Sequence, residues 1–318
     1  MSIHVNADNF IKAETHRMFR DIQAQARGVG SFRHNRTPAR IEEQTVIRLN
    51  RDTLYSFAIV DLAEPARLTL PDADSRYLSA MIVNEDHFVN DVFHEAREYA
   101  LTRDQYGSRY VLVGVRILVD PNDSADVAAV AAIQDRLAID ARSSQTFVMP
   151  DYDLESLDAT RDALLALARG LDNFDRTFGA RTEVDPVRHL IGCAAGWGGL
   201  PTSEATYIGA DPNLPPGDYE LVFNDVPVDA FWSVSIYNER GFFEPNEKNL
   251  YTVNSITGES NADGSVTVRL VASAAGDTPA NAIVIPQGWN YLIRLYRPRA
   301  EILNGQWTPP TLTPGGSS

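Results

Sequence analysis

In residues 231–238, FWSVSIYN, large apolar side chains alternate with more polar ones, as is typical of a half-buried β-strand. One face of the extended chain carries Trp232, Val234 and Ile236, and the other carries two serines and Tyr237. We therefore predict a strand with one core face and one semi-polar face. The semi-polar face is a candidate wall of a ligand cavity.

Strand patterns dominate both halves of the chain. In the first half they occupy Thr45–Leu49, Tyr55–Leu62, Ala66–Leu70, Arg76–Val83 and Tyr110–Val119. Helical periodicity then covers Leu154 to Leu171 and Pro186 to Ala195, before strand patterns resume. We predict a mainly β fold with helical connections (α+β), in which two β-rich, sandwich- or jelly-roll-like domains are joined by a helical block. The predicted domains are residues 1–150, 151–200 and 201–318.

The charge balance limits the possible partners. The 318 residues include 28 Lys and Arg against 43 Asp and Glu, a formal net charge of -15. Such a chain repels nucleic acid and anionic membranes, so we expect neither as a partner. The first residues lack a basic and an apolar leader segment, and no run of about 18 apolar residues occurs. With Cys193 as the single cysteine, these features favour a cytoplasmic protein.

Several catalytic and cofactor motifs are absent from the sequence. It has no Gly-x-Ser-x-Gly elbow, no phosphate-binding glycine loop, no dinucleotide fingerprint and no Cys-x-x-Cys pair. A conventional serine hydrolase, a nucleotide-dependent enzyme and an iron–sulfur or structural zinc protein are therefore disfavoured. We expect no cofactor.

The segment Asn50–Thr53 is the first candidate site. It follows a predicted strand and brings together an amide, a guanidinium, a carboxylate and a hydroxyl. Strand ends are where sandwich domains display binding residues. Arg51 is suited to clamp a ligand carboxylate, with Asp52 as a proton acceptor and Asn50 beside it. The alternative is that Asp52 caps a turn and pairs with an arginine.

A second polar cluster, Asn84–His87, follows the alternating strand that ends at Val83. A carboxylate beside an imidazole holds that imidazole as a base near neutral pH, so His87 with Asp86 is the candidate acid–base pair. On an extended strand, Asn84 and Asp86 share one face while His87 points to the other. The alternative is an exposed, charge-rich loop.

A metal site is an alternative for the same region. His87 and Asp91 are four residues apart, a spacing that places two ligands on one face of a helix, and His94 and Glu95 follow. The intervening apolar residues equally fit the core side of a helical turn. No second ligand group of matched spacing is present, so we predict no metal site.

Aromatic residues are the remaining candidates, because their rings stack on sugars and other flat ligands. Tyr237 and Asn238 end the FWSVSIYN strand, and Tyr55 lies near Arg51; we expect these three to orient a substrate. Trp197 lies in the sequence GWGG, whose glycines permit unusual backbone conformations. We expect it to be a pocket lid or a wedge between domains.

Four stretches together resemble one bacterial family, whose members pair domain of unknown function 1254 with domain of unknown function 1214. These stretches are Val46–Ser56, Glu183–Gly192, Phe231–Asn238 and Gly288–Pro298. The resemblance covers nearly the whole chain in order. It implies two β-rich domains, the second jelly-roll-like, and no agreed reaction. Some family members carry secretion signals.

Three functions are consistent with these residues. The first is a cofactor-independent small-molecule enzyme, a hydrolase or lyase, with its site at strand ends between the two β domains. There Arg51 would anchor an anionic group, and His87 with Asp86 or Asp52 would move protons. The alternative is a non-catalytic protein that binds a carbohydrate or a small hydrophobic ligand. The third is a structural oligomer that uses Trp197, and a homo-oligomer is compatible with all three.

Overall fold

The structure is a computed structural model that describes residues 2–44, 47–169, 171, 173–274 and 276–315. It has the predicted mainly β, α+β fold. The helices are α1 (Phe10–Gln25), α2 (Arg103–Tyr106), α3 (Ser124–Gln134), α4 (Leu154–Ala168), α5 (Pro186–Ala195) and α6 (Ala300–Leu303). The strands are β1 (Arg33–His34), β2 (Thr53–Asp61), β3 (Ala66–Thr69), β4 (Leu78–Asn84), β5 (Val89–Phe93), β6 (Glu98–Leu101), β7 (Tyr110–Leu118), β8 (Ala138–Ala141), β9 (Ala205–Ala210), β10 (Tyr219–Phe223), β11 (Trp232–Tyr237), β12 (Thr252–Asn254), β13 (Val266–Val271), β14 (Ala282–Val284), β15 (Asn290–Tyr296) and β16 (Thr313–Pro314).

The chain divides into two compact units. The first unit comprises the residues up to Arg36, Leu54–Leu118 and Val127–Thr202. The second unit comprises Thr37–Thr53, Val119–Asp126 and the residues from Ser203 onward. The domain limits predicted at residues 150 and 200 stay a prediction.

The first unit contains a five-stranded sheet in the order β1-β2-β7-β4-β5. Every residue of β4 is buried, which is typical of a strand covered on both faces. The three-stranded sheet β6-β3-β8 belongs to the same unit. Helices α1, α4 and α5 pack around an apolar cluster that includes Phe10, Leu157 and Ile191. None of the helices within the described ranges is long and apolar enough to cross a membrane.

Helix α5 shows how the sequence sets an element of this unit. The Asp185 carboxylate accepts hydrogen bonds from the backbone N–H groups of Val187 and Arg188, and Pro186 occupies the first helical position. Both features are favoured at helix starts, where N–H groups lack intrahelical partners. The helix then carries His189 on its buried side.

The second unit is a sandwich of two four-stranded sheets, β12-β11-β15-β9 and β14-β13-β10-β16. Trp232, Val234 and Ile236 of β11 share one core cluster with Leu221 and Val268 of the other sheet. The predicted core face of residues 231–238 is therefore confirmed. Antiparallel pairing with β15 fixes the register of β11.

One secondary-structure prediction is wrong, and the helix that the metal alternative required is absent from the described residues. The strand predicted at Thr45–Leu49 begins outside the described residues, and Ile47 and Arg48 form a turn. Arg48 has a φ of 52°, which a strand does not accommodate. The helical turn considered after His87 is instead strand β5, because pairing with β4 satisfies its backbone groups.

Candidate functional site

The second unit contains a pocket of about 440 Å³, a size within the range of small-molecule sites. Its charged and amide-bearing lining side chains are Arg40, Glu42, Arg51, Asn122, Lys248 and Asn249. Three of them are cations and one is a carboxylate, in a chain whose net charge is -15. The pocket is thus a positively charged site in an acidic protein.

Arg51 is the pocket residue with the most unusual environment. Only 9% of it is exposed, and its Nη1 donates a hydrogen bond to the carbonyl oxygen of Ala39. The guanidinium carbon lies 5.5 Å from the centroid of the Tyr251 ring, a cation–π distance. Its Nε is buried and has no hydrogen-bond partner in the described part of the chain. Burial lowers the pKa of Arg51, against the opposing effects of Tyr251, Glu42 and Asp52.

The semi-polar face of β11 is occupied by a buried ionic network. The guanidinium of Arg294 donates to Ser235 Oγ at 2.8 Å, and Ser235 Oγ donates to Thr252 Oγ1 at 3.1 Å. The fully buried Asp52 carboxylate accepts from Thr252 Oγ1 at 3.1 Å and from Ser233 Oγ at 2.6 Å. Hydroxyl groups therefore link a buried carboxylate to a buried guanidinium. The face predicted as a cavity wall is a hydrogen-bonded interior.

Three predicted substrate-binding residues hold this region together. The Tyr237 hydroxyl donates to the carbonyl oxygen of Leu49 at 2.8 Å. Asn238 Oδ1 accepts two backbone N–H groups of the turn that follows, each at 3.0 Å. Asn50 Nδ2 donates to the Tyr296 hydroxyl at 2.9 Å. A role of these side chains toward a substrate stays a prediction.

In the first unit, His87 lies in a buried stack of rings. Its imidazole is nearly parallel to His189 and to Trp197, with ring centroids 5.3 and 5.4 Å away, and meets Phe178 edge-on. Its Nε2 accepts a hydrogen bond of 2.9 Å from the backbone N–H of Gly198, and its Nδ1 is buried without a partner among the described residues. Burial, followed by the neighbouring His189, lowers the pKa of His87 to about 3.

This environment favours a structural role for His87, because the ring is neutral near pH 7 and its acceptor nitrogen is occupied. Asp86, its predicted partner, lies 3.2 Å from Lys12 Nζ in a half-exposed ion pair. Asn84 Oδ1 accepts the backbone N–H groups of Asp86 and Phe88 and closes the turn between β4 and β5. Catalysis by Asp86 and His87 stays a prediction that these contacts do not favour.

The glycines beside Trp197 make room for Phe178. A Cβ added at Gly199 would lie 2.6 Å from Phe178 Cδ2, and one at Gly196 would lie 3.3 Å from its Cζ. Gly198 has a φ of 76°, a conformation that favours glycine. The indole Nε1 of Trp197 donates to Thr15 Oγ1 at 3.2 Å. Trp197 is therefore bonded within the first unit, and its role as a lid or wedge stays a prediction.

The alternative of a metal site at His87 and Asp91 required both residues to lie on one helix, and the structure has a turn and a strand there. His87 lies in a turn with a φ of 64°, and Asp91 lies in β5. Asp91 Oδ2 accepts from the Tyr106 hydroxyl at 2.9 Å and from Gln105 Nε2 at 2.8 Å. The described ranges contain no group of three His, Cys, Asp or Glu that could hold a metal ion.

The first unit also contains a row of hydrogen-bonded polar side chains that the sequence did not indicate. His16, on the buried face of α1, has its Nε2 3.1 Å from Glu85 Oε2 and its Nδ1 3.1 Å from the Tyr152 hydroxyl. Burial raises the pKa of Glu85, but hydrogen bonds from His16 and from the Tyr110 N–H outweigh it, so the pKa is lowered. Burial and then Glu85 raise the pKa of Tyr152. The sequence signal for a buried His16 was its spacing: it lies three residues from Ala13 and three from Phe19, and both of these face the core.

The predicted residues fall into two groups. The first unit holds Tyr55, Asn84, Asp86, His87 and Trp197, and the second holds Asn50, Arg51, Asp52, Tyr237 and Asn238. Tyr55 lies under the Arg116 guanidinium at 5.5 Å, and Arg116 Nη2 donates to the Gly198 carbonyl oxygen at 2.8 Å. Of the ten, Arg51 is the member that lines the described pocket.

The fold and the pocket define a two-unit, mainly β protein with a positively charged cavity. Residues 29–141 match the model of DUF1254, and residues 211–300 match that of DUF1214, each described as a protein of unknown function. The chain therefore belongs to the proteins that carry a DUF1254 region followed by a DUF1214 region, as the resemblance predicted.

The solved structures that are similar to this chain include the following two. The VPA0106 protein from Vibrio parahaemolyticus has a TM-score of 0.75 and 18% identity, with 98% of each chain covered. An uncharacterized protein from Burkholderia cenocepacia has a TM-score of 0.52 and 15% identity, covering 96% of this chain and 87% of the other. At these identities the likeness concerns the fold alone. No curated protein matches the chain.

Proposed function

We propose that this protein binds a small anionic molecule in the pocket of the second unit, with Arg51 as its anchor. The observation that carries the proposal is the guanidinium of Arg51, a residue of the pocket lining that is only 9% exposed and whose Nε has no hydrogen-bond partner among the described residues. An unpaired buried donor costs about 1–3 kcal/mol, which a ligand oxygen would offset. Carboxylate and phosphate fit best, because a guanidinium binds both through paired hydrogen bonds.

The residues that line the pocket also favour an anion over the carbohydrate or hydrophobic ligand that the sequence allowed. No aromatic side chain is among the described residues that line the pocket, so stacking on a sugar has no platform there. Cations outnumber carboxylates, which disfavours a hydrophobic ligand. The same residues supply no imidazole, thiol or hydroxyl side chain, which favours binding over catalysis in this pocket.

Calorimetric titration with succinate and with inorganic phosphate tests this function. Arg51→Gln is compared with Arg67→Gln, which removes an exposed arginine of the first unit that pairs with Glu98 and Asp140. Loss of a charge-assisted hydrogen bond weakens binding about tenfold or more, so Arg51→Gln should do this and Arg67→Gln should not. Equal affinity of wild type and Arg51→Gln for both anions would overturn the proposal.

The second candidate function is acid–base catalysis in the first unit, the hydrolase or lyase activity expected from the sequence. The chain Glu85–His16–Tyr152 favours it, because a carboxylate orients the imidazole and the imidazole contacts a half-buried hydroxyl. Here Tyr152 exchanges the proton with the substrate, and His16 and Glu85 are positioning residues.

Hydrolysis of p-nitrophenyl acetate tests this candidate. Tyr152→Phe should lower the rate by about 100-fold or more, the usual contribution of a positioned proton donor. Tyr219→Phe is the matched control, because the Tyr219 hydroxyl donates to the Pro215 carbonyl oxygen in the second unit. Equal rates for the two variants would exclude this role of Tyr152.

A further inference from the structure

We propose that the ligand of this pocket is a dianion, a small dicarboxylate or a phosphate monoester, and that Lys248 binds its second anionic group. This inference rests on the proposed function, because it takes anion binding at Arg51 as its starting point. Its basis is a pair of lining cations, Arg51 and Lys248, that form no ion pair with the described residues of the chain.

The third lining cation, Arg40, is paired within the chain. Arg40 lies 3.1 Å from a Glu43 oxygen and 3.8 Å from a Glu42 oxygen, so its charge is matched within the chain. In the described ranges neither Arg51 nor Lys248 has a carboxylate oxygen within the 4.0 Å of an ion pair. Arg51 and Lys248 are therefore the two lining cations that form no ion pair in the described part of the chain, and a ligand with two anionic groups can pair with both.

Lys248 is held in place by groups that do not neutralise it. Its Nζ donates to the Gly276 carbonyl oxygen at 2.7 Å and to Thr278 Oγ1. Both acceptors are uncharged, and an ammonium group has three N–H donors, so one donor is left for a ligand. An exposed lysine fixed in this way presents a point charge without first ordering its flexible side chain.

The lysine content of the chain makes this position distinctive. Lys12 and Lys248 are the only lysines among its 28 basic residues. Lys12 lies in the first unit and pairs with Asp86 at 3.2 Å, so its charge is compensated. Lys12 is therefore a matched control for the second lysine.

Titration with succinate and butyrate, which have the same carbon count and differ by one carboxylate, tests the proposal. The wild type should bind succinate about fivefold more tightly than butyrate, the effect of one exposed ion pair. Lys248→Met should remove this preference and leave butyrate affinity unchanged, whereas Lys12→Met should change neither. Inorganic phosphate as a third probe separates the two ligand classes: tighter binding than succinate points to a phosphate monoester, weaker binding to a dicarboxylate.

The titrations distinguish failure of the dianion proposal from failure of the proposed anion binding. If succinate and butyrate bind equally and Arg51→Gln weakens both, the dianion proposal is wrong and anion binding stands. If succinate, butyrate and phosphate all fail to bind the wild type, the proposed function is wrong as well.

Discussion

The backbone N–H of Gly198 donates a hydrogen bond of 2.9 Å to Nε2 of His87. This contact leaves the remaining ring proton on Nδ1, which is buried without a partner in the described ranges. Both residues have a positive φ, 64° for His87 and 76° for Gly198. The first unit thus uses a buried neutral histidine to join the β4–β5 turn to the GWGG segment.

The first prediction is that the buried His87 imidazole makes the free energy of unfolding depend on pH. His87 has a folded pKa of about 3, whereas an unfolded histidine titrates near 6.5. Unfolding below pH 6.5 therefore takes up a proton, and this contribution to stability is complete above pH 6.5 and is lost as the pH falls toward 3. Between pH 6.5 and 5 the loss is about 2 kcal/mol.

His87→Asn isolates this effect, because asparagine tolerates a positive φ and does not titrate. Urea unfolding at pH 6.5 and pH 5 should show a decrease in the wild-type free energy of unfolding that exceeds the variant's decrease by about 2 kcal/mol. If both proteins lose the same free energy, His87 does not stay neutral in the folded state.

The second prediction concerns the space beside Trp197. Gly199→Ala should lower the free energy of unfolding by about 1–3 kcal/mol, because the new methyl group overlaps the Phe178 ring. Gly114→Ala is the control, since the nearest atom to its Cβ is Met81 Cε at 3.6 Å, an ordinary contact. Chemical denaturation of both variants measures the difference, and equal stabilities would show that Phe178 does not fill this space.

The third prediction concerns the buried ionic network of the second unit. Asp52→Asn and Arg294→Met should each be strongly destabilising, by about 3–5 kcal/mol, because each leaves a buried charge unpaired. The double variant should cost less than the two single costs together, by about 1 kcal/mol or more. A double-mutant cycle from urea denaturation measures this coupling, and additive costs would show that the two charges do not stabilise each other.

The strands were the most predictable part of the fold. The alternation of residues 231–238 has a period of two, which specifies both a strand and its core face. The strand predicted at residues 45–49 was wrong, because a short apolar run is too short to show whether the segment forms a strand or a turn. The residues after His87 form a strand and not the helical turn that the metal alternative required, because they pair with β4.

The candidate site was less predictable, because its residues are distant in sequence. The sequence predicted Arg51 as a candidate anion-binding residue. No local sequence pattern predicts that Lys248 lines the same pocket. The linkage of Asp52 to Arg294 passes through hydroxyl groups of two other strands. The sequence does not single out His16, because the buried face of α1 carries polar as well as apolar residues and so has no simple apolar stripe.

The central claim is that Arg51 anchors an anion, and a crystal structure of the protein soaked in succinate tests it most directly. We predict a carboxylate oxygen about 2.7–2.9 Å from a guanidinium nitrogen of Arg51, the usual length of a charge-assisted hydrogen bond. Water alone beside the Arg51 guanidinium, at a succinate concentration that saturates the protein in calorimetry, would contradict the claim.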